Sequence, residues 1–90
     1  MGAIDNLREK LSRDLFLRIK HGLDVERPLS VAIEMRPYGF FAVAAWLESR
    51  GYRNWILDGN SIFYCLSVEE IRALAELPEV KAILLSGEVI

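Results

Sequence analysis

Between Ser61 and Leu85 the chain leaves almost no room for loops: Ser61 to Leu66 is an apolar-rich run, Ser67 opens a helix, and Pro78 ends it just before the apolar run Val80 to Leu85. Ser67 with Glu70 three residues on forms a capping box, in which hydroxyl and carboxylate each satisfy a backbone N–H that has no intrahelical partner. Val68, Ile71, Leu74, Ala75 and Leu77 mark the buried side of that helix, and Pro78 cannot continue it. A strand, a short helix and a final strand therefore follow one another directly.

The rest of the chain supplies the partners of this unit. Leu29, Val31, Ile33 and Met35 alternate with Ser30, Ala32, Glu34 and Arg36, the period of two expected of a strand with one buried face. Pro37-Tyr38-Gly39 breaks it, and a helix over Phe40 to Arg50 follows, ended by Gly51. Tyr52 to Leu57 and Ser61 to Leu66 flank Asp58-Gly59-Asn60, a hairpin signal because Gly and Asn accept positive φ. Ahead of the first strand, Ile4, Leu7, Leu11, Leu15 and Ile19 fall on one helical stripe. Ser12 is a second capping residue, so a break near Lys10 to Arg13 is compatible with the pattern, and Gly22 is an end signal. Leu23 to Pro28 reads as a linker.

The order predicts an α+β fold: an N-terminal helix within residues 1–22, then over residues 29–90 the split β-α-β-β-α-β order of a ferredoxin-like sandwich, a four-stranded antiparallel sheet with two helices on one face. At 90 residues this is a single domain. The helix over Phe40 to Arg50 is apolar nearly all round, through Phe41, Ala42, Ala45 and Trp46 as well as Phe40, Val43, Ala44 and Leu47. It should be covered on more than one side, and the N-terminal helix is the nearest cover. Trp46, Trp55, Tyr38 and Tyr52 are expected in the core or at its rim.

Composition narrows the function classes. Hydrophobic residues make up 52% and charged ones 27%, as in an ordinary globular domain. The formal net charge of −2 comes from 11 basic and 13 acidic residues interspersed along the chain, so no field of one sign would steer it to nucleic acid. The longest apolar stretches fall far short of the roughly 20 residues needed to cross a bilayer. Met1-Gly2-Ala3-Ile4-Asp5-Asn6 lacks the basic start and greasy centre of a signal peptide. With neither a signal peptide nor a membrane span, cytoplasmic is the default expectation.

Little in the sequence offers chemistry. His21 is the only histidine and lies at a helix C-terminus, where a cation suits the helix dipole. Cys65 is the only cysteine, which excludes an internal disulfide and leaves no cysteine-built zinc site; it reads as a buried or interface residue rather than a nucleophile. No phosphate-loop, dinucleotide, hydrolase-elbow or zinc-hydrolase motif occurs. The expectation is no enzyme and no cofactor. Phe63 and Tyr64 invite comparison with RNA-binding sheets, but adjacent residues point to opposite faces and basic residues do not surround them.

The strands themselves point to binding. If Ile62, Tyr64 and Leu66 face the helices, Phe63 and Cys65 turn outward. Val80 to Leu85 offers apolar side chains to both faces, Lys81 excepted, and Trp55, Ile56 and Leu57 are consecutive. An outward patch of Phe63, Cys65 and the outer residues among Ile83, Leu84 and Leu85 is large for a monomer, and such patches mark interfaces. Covering about 500 Å² at about 25 cal/mol per Å² contributes on the order of 10 kcal/mol before association costs. The cover is either the N-terminal helix folded across this face, or a partner or second copy of the chain.

Leu66-Ser67, Leu77-Pro78-Glu79-Val80 and Ile83 carry a resemblance. An apolar strand end followed by a capping Ser or Thr, and a last strand begun by Pro-x-Val with an apolar residue three positions on, are shared with the subtilisin propeptide-like inhibitor domains. The Leu7 to Ile19 segment is similar to the leading helix of some longer subtilase propeptides. The resemblance implies a non-enzymatic inhibitor or intramolecular chaperone of a subtilisin-type serine protease. Its sheet face would dock on the protease through Phe63, Cys65 and Leu84, and its tail Glu88, Val89 and Ile90 would enter the substrate cleft. Leu84-Leu85-Ser86 stands where the family usually carries an acidic run, which removes the carboxylates that complement helix N-termini. The alternative is a self-associating or scaffold module that uses the same face for a dimer.

Overall fold

The computed structural model describes residues 8–22 and 28–86. Ile4, Leu7, most of the linker and the tail Glu88-Val89-Ile90 lie outside the described residues. In chain order the elements are α1 (Arg13–Lys20), β1 (Leu29–Met35), α2 (Phe40–Ser49), β2 (Ile56–Asp58), β3 (Ser61–Leu66), α3 (Val68–Ala75) and β4 (Val80–Leu85); residues 8–10 are also helical. The four strands form one antiparallel sheet in the order β2-β3-β1-β4.

The core lies between the sheet and the helices. On β1, Leu29, Val31, Ile33 and Met35 face inward, joined by Ile62 and Leu66 of β3 and by Val80 and Ile83 of β4. Val43 and Leu47 of α2 and Val68, Ile71, Leu74 and Ala75 of α3 close over them in the same cluster. Periodicity explains both sides: the strands bury every second residue and the helices every third or fourth. One irregularity resets the phase. Glu34 opposes Ala82 but Met35 opposes Val80, so Lys81 is the extra residue of a bulge. Val80 and Ile83, three apart, thereby reach the same face, and Ile83 and Leu85 turn inward rather than joining the outward patch.

α3 forms for the local reason read in its sequence. The Ser67 hydroxyl accepts from the Glu70 N–H at 3.2 Å, and the Glu70 carboxylate accepts from the Ser67 N–H at 3.0 Å. The β2–β3 hairpin is equally local. Gly59 alone of the two central residues has positive φ, +62°, with Asp58 and Ser61 paired across the turn, the pattern of a type II′ turn.

Four expectations are corrected. The strand expected over Tyr52 to Leu57 is only Ile56–Asp58: Gly51 at φ +82° closes α2, the Tyr52 N–H returns to the Leu47 carbonyl at 3.0 Å, and Asn54 at φ +67° leaves strand backbone. Tyr38 is not in the core or at its rim but 99% exposed, held out by the turn that Gly39 ends. A Cβ on Gly39 would stand 2.9 Å from the Glu79 carbonyl oxygen, so the β1–α2 connection presses on the start of β4 through a residue without a side chain.

The N-terminal segment supplies the other two. Over its described residues 8–22 it neither covers α2 nor crosses the outer face. Leu11 makes a parallel bridge to Ile83, and the Ser12 N–H donates to the Ile83 carbonyl at 2.9 Å, so the chain lies along the free edge of β4. Ser12 then caps α1, its hydroxyl accepting from the Leu15 N–H at 3.4 Å, and Leu15 and Ile19 enter the core. Lys10 ties the segment down by donating to the Leu77 carbonyl at 2.7 Å. Burial, helped by the nearby Arg36 charge, lowers the Lys10 pKa from its ordinary value. α2 keeps its second side open: Phe41 and Ala45 are exposed, and Arg50 lies 4.2 Å over the Trp46 ring.

Candidate partner-binding surface

Antiparallel register places directly opposed residues on one face, so the outer face can be read across the strands. Ile56 opposes Phe63, Phe63 opposes Ala32, and Ala32 opposes Leu84. The result is an unbroken apolar row, Ile56-Phe63-Ala32-Leu84, running over all four strands. Ala32 is only 2% exposed although it faces away from the helices. Its small side chain stands between those of Phe63 and Leu84 on the neighbouring strands, and both of those are half-buried.

Polar rows border this stripe. On one side Cys65 opposes Ser30, and the Ser86 hydroxyl donates to that of Ser30 at 2.8 Å. On the other, Asp58 opposes Ser61, Ser61 opposes Glu34, and Glu34 pairs with Lys81 at 3.3 Å. An apolar centre inside a polar rim is also the general anatomy of protein interfaces. An open groove of about 420 Å³ runs along the β2 side of the stripe, lined by Ser30, Asn54, Ile56, Phe63, Tyr64 and Cys65. Among the described residues no helix packs on this face, and none is long and apolar enough to cross a membrane.

The expected docking residues Phe63, Cys65 and Leu84 share this face, with Cys65 exposed beside the row rather than buried. Glu88, Val89 and Ile90 lie outside the described residues. His21 is the exposed C-cap residue of α1. Two residues of the row escape a reading of the sequence. Ala32 falls in the polar set of β1, and Ile56 is one of three consecutive apolar residues whose facing depends on the hairpin register. The consecutive apolar run was the available signal for Ile56; for Ala32 there was none. Comparison with protein-family models, curated proteins and solved structures finds no match for this chain.

Proposed function

We propose that this chain is a non-enzymatic protein-binding domain of the ferredoxin-like kind that docks on a subtilisin-type serine protease in the manner of that enzyme's propeptide, as inhibitor or folding chaperone. The observation that carries the reading is the apolar row Ile56-Phe63-Ala32-Leu84 on the sheet face that no described helix covers. Among the described residues no helix buries this row, and burial against a partner's surface would remove it from water. The strand order supports the ferredoxin-like assignment: β3 lies between β1 and β2, β1 between β3 and β4, and α2 and α3 follow β1 and β3. The capped junction Leu66-Ser67 and the start of β4 after Pro78 support the resemblance to the propeptides. In this reading Phe63, Leu84 and the flanking Cys65 make the docking surface, and Glu88, Val89 and Ile90 occupy the cleft.

A second reading keeps the face and replaces the protease with another copy of the chain. It is favoured by the uncharged row and by Leu84-Leu85-Ser86, which brings no carboxylate to a protease helix. Titrating the chain into a subtilisin-type protease while following peptide hydrolysis tests the first reading. Inhibition that Phe63→Glu weakens is the expected result; no inhibition at roughly tens of micromolar refutes it.

A further inference from the structure

The two free edges of the sheet are treated differently. β4 is bridged by Leu11 and accepts the Ser12 N–H, while β2 is bordered by no other described strand. Natural edges are blunted by lysines, prolines, bulges or a covering segment. β4 has three of these, in Lys81, the bulge and Leu11. β2 has no proline and no bulge, its one charged residue is Asp58 beside the turn, and all three of its residues are exposed.

Exposed apolar groups gather at this edge. Of the five large apolar side chains exposed among the described residues, four are Tyr38 at 99%, Phe41 at 79%, Ile56 at 65% and Leu57 at 46%. Tyr38 and Leu57 line one groove of about 220 Å³ with Phe40, whose ring meets that of Phe41 at 5.4 Å. Tyr38 also has φ +66°, a strained conformation for a bulky residue, and at 99% exposure it has little packing among the described residues to offset that strain.

We infer that β2 is a self-pairing edge, on which a second copy of the chain adds its own β2 antiparallel and continues the sheet. The hairpin fixes which groups are free. Asp58 and Ser61 are the hydrogen-bonded pair that closes a two-residue turn, so Leu57 is in a non-bonded pair and its N–H and C=O point away from β3. An antiparallel partner strand must be apolar on both faces, because Ile56 projects to one and Leu57 to the other. Ile56 and Leu57 of another β2 meet that requirement, with Asp58 at the turn end of the strand, and antiparallel pairing of a segment with itself is the two-fold contact that closes a dimer. The four side chains expose on the order of 500 Å². That is more than half of the roughly 800 Å² that each partner contributes to a standard interface, and the strand backbone and Trp55 are available for the remainder. Of the outer-face row only Ile56 takes part in this contact; Phe63, Ala32 and Leu84 are not needed for it.

Sedimentation of the full chain between about 1 and 100 µM tests it, with Leu57→Lys, Leu57→Pro and Phe63→Glu alongside. Wild type and Phe63→Glu are expected to pass from monomer to dimer. The two Leu57 variants, folded by circular dichroism, are expected to need at least roughly tenfold more protein to do so. Leu57→Pro removes an N–H that no described strand accepts, so it probes the edge without breaking the sheet. A monomer throughout, as when the edge serves a foreign strand, overturns the inference. So does a dimer that Phe63→Glu abolishes and Leu57→Lys leaves intact, because that dimer uses the outer face. Amide exchange gives a reading that needs no variant. The Leu57 N–H is expected to exchange at least roughly tenfold more slowly in concentrated than in dilute wild-type protein, and a rate independent of concentration overturns the inference.

Discussion

The sheet has two edge strands, and the described part of the N-terminal segment lies on only one of them. Along β4, Leu11 and Ser12 occupy the free backbone positions at Ile83, and α1 behind them drives Leu15 and Ile19 into the core. At β2 three exposed residues end a hairpin with Tyr38, Phe40 and Leu57 standing around an open groove. The difference teaches where the molecule is closed by its own sequence and where it stays open. β4 is part of the folding unit; β2, with the neighbouring outer face, is surface available to others.

The comparison breaks first at Leu15. It is fully buried, so Leu15→Ala should cost about 2–5 kcal/mol in denaturant unfolding. Leu57→Ala, at the open edge, should cost less than about 1 kcal/mol in the monomer. Equal costs would mean that α1 does not seal β4. Gly39→Ala comes next: with a Cβ 2.9 Å from the Glu79 carbonyl oxygen, the connection must shift, at about 1–3 kcal/mol by the same measurement. Ser12→Ala removes the cap of the sealing helix and should lower stability by about 1 kcal/mol.

A pH effect is the smallest. Because burial and Arg36 lower the Lys10 pKa, the folded chain binds fewer protons than the unfolded one between the lowered and the ordinary lysine values. Stability attributable to Lys10 therefore rises as pH climbs through the lowered value. Subtracting the pH profile of Lys10→Met from that of wild type should show a shallow upward slope there, and a downward slope would reverse the assignment.

How much of this could be read from the sequence followed the range of the interaction. The capping box at Ser67 and Glu70, the hairpin at Gly59 and the cap at Ser12 depend on neighbours within a few residues, and they sit where the sequence puts them. The outward facing of Phe63 and Cys65 also follows, because alternation along β3 is regular. The facing of β4 does not: its run is apolar throughout, and the bulge at Lys81 shifts the phase in a way that only pairing with β1 determines. The position of α1 is a tertiary choice too. Its stripe would fit either face or either edge, and the backbone contact at Ile83 decides it. The apolar row is half legible, since Phe63 and Leu84 can be named but Ala32 and Ile56 enter it only through register.

Cys65 offers the most direct test of the central claim, that the outer-face row is the docking surface. It is the sole cysteine, it is exposed, and it lies beside the row without belonging to it. The measurement is the rate at which an alkylating reagent modifies Cys65, first in the free chain and then with a saturating amount of an active-site-blocked subtilisin-type protease. The expected result is a slowing of at least roughly tenfold, because docking on the row removes the thiol from solvent. An unchanged rate in the presence of the protease would contradict the account.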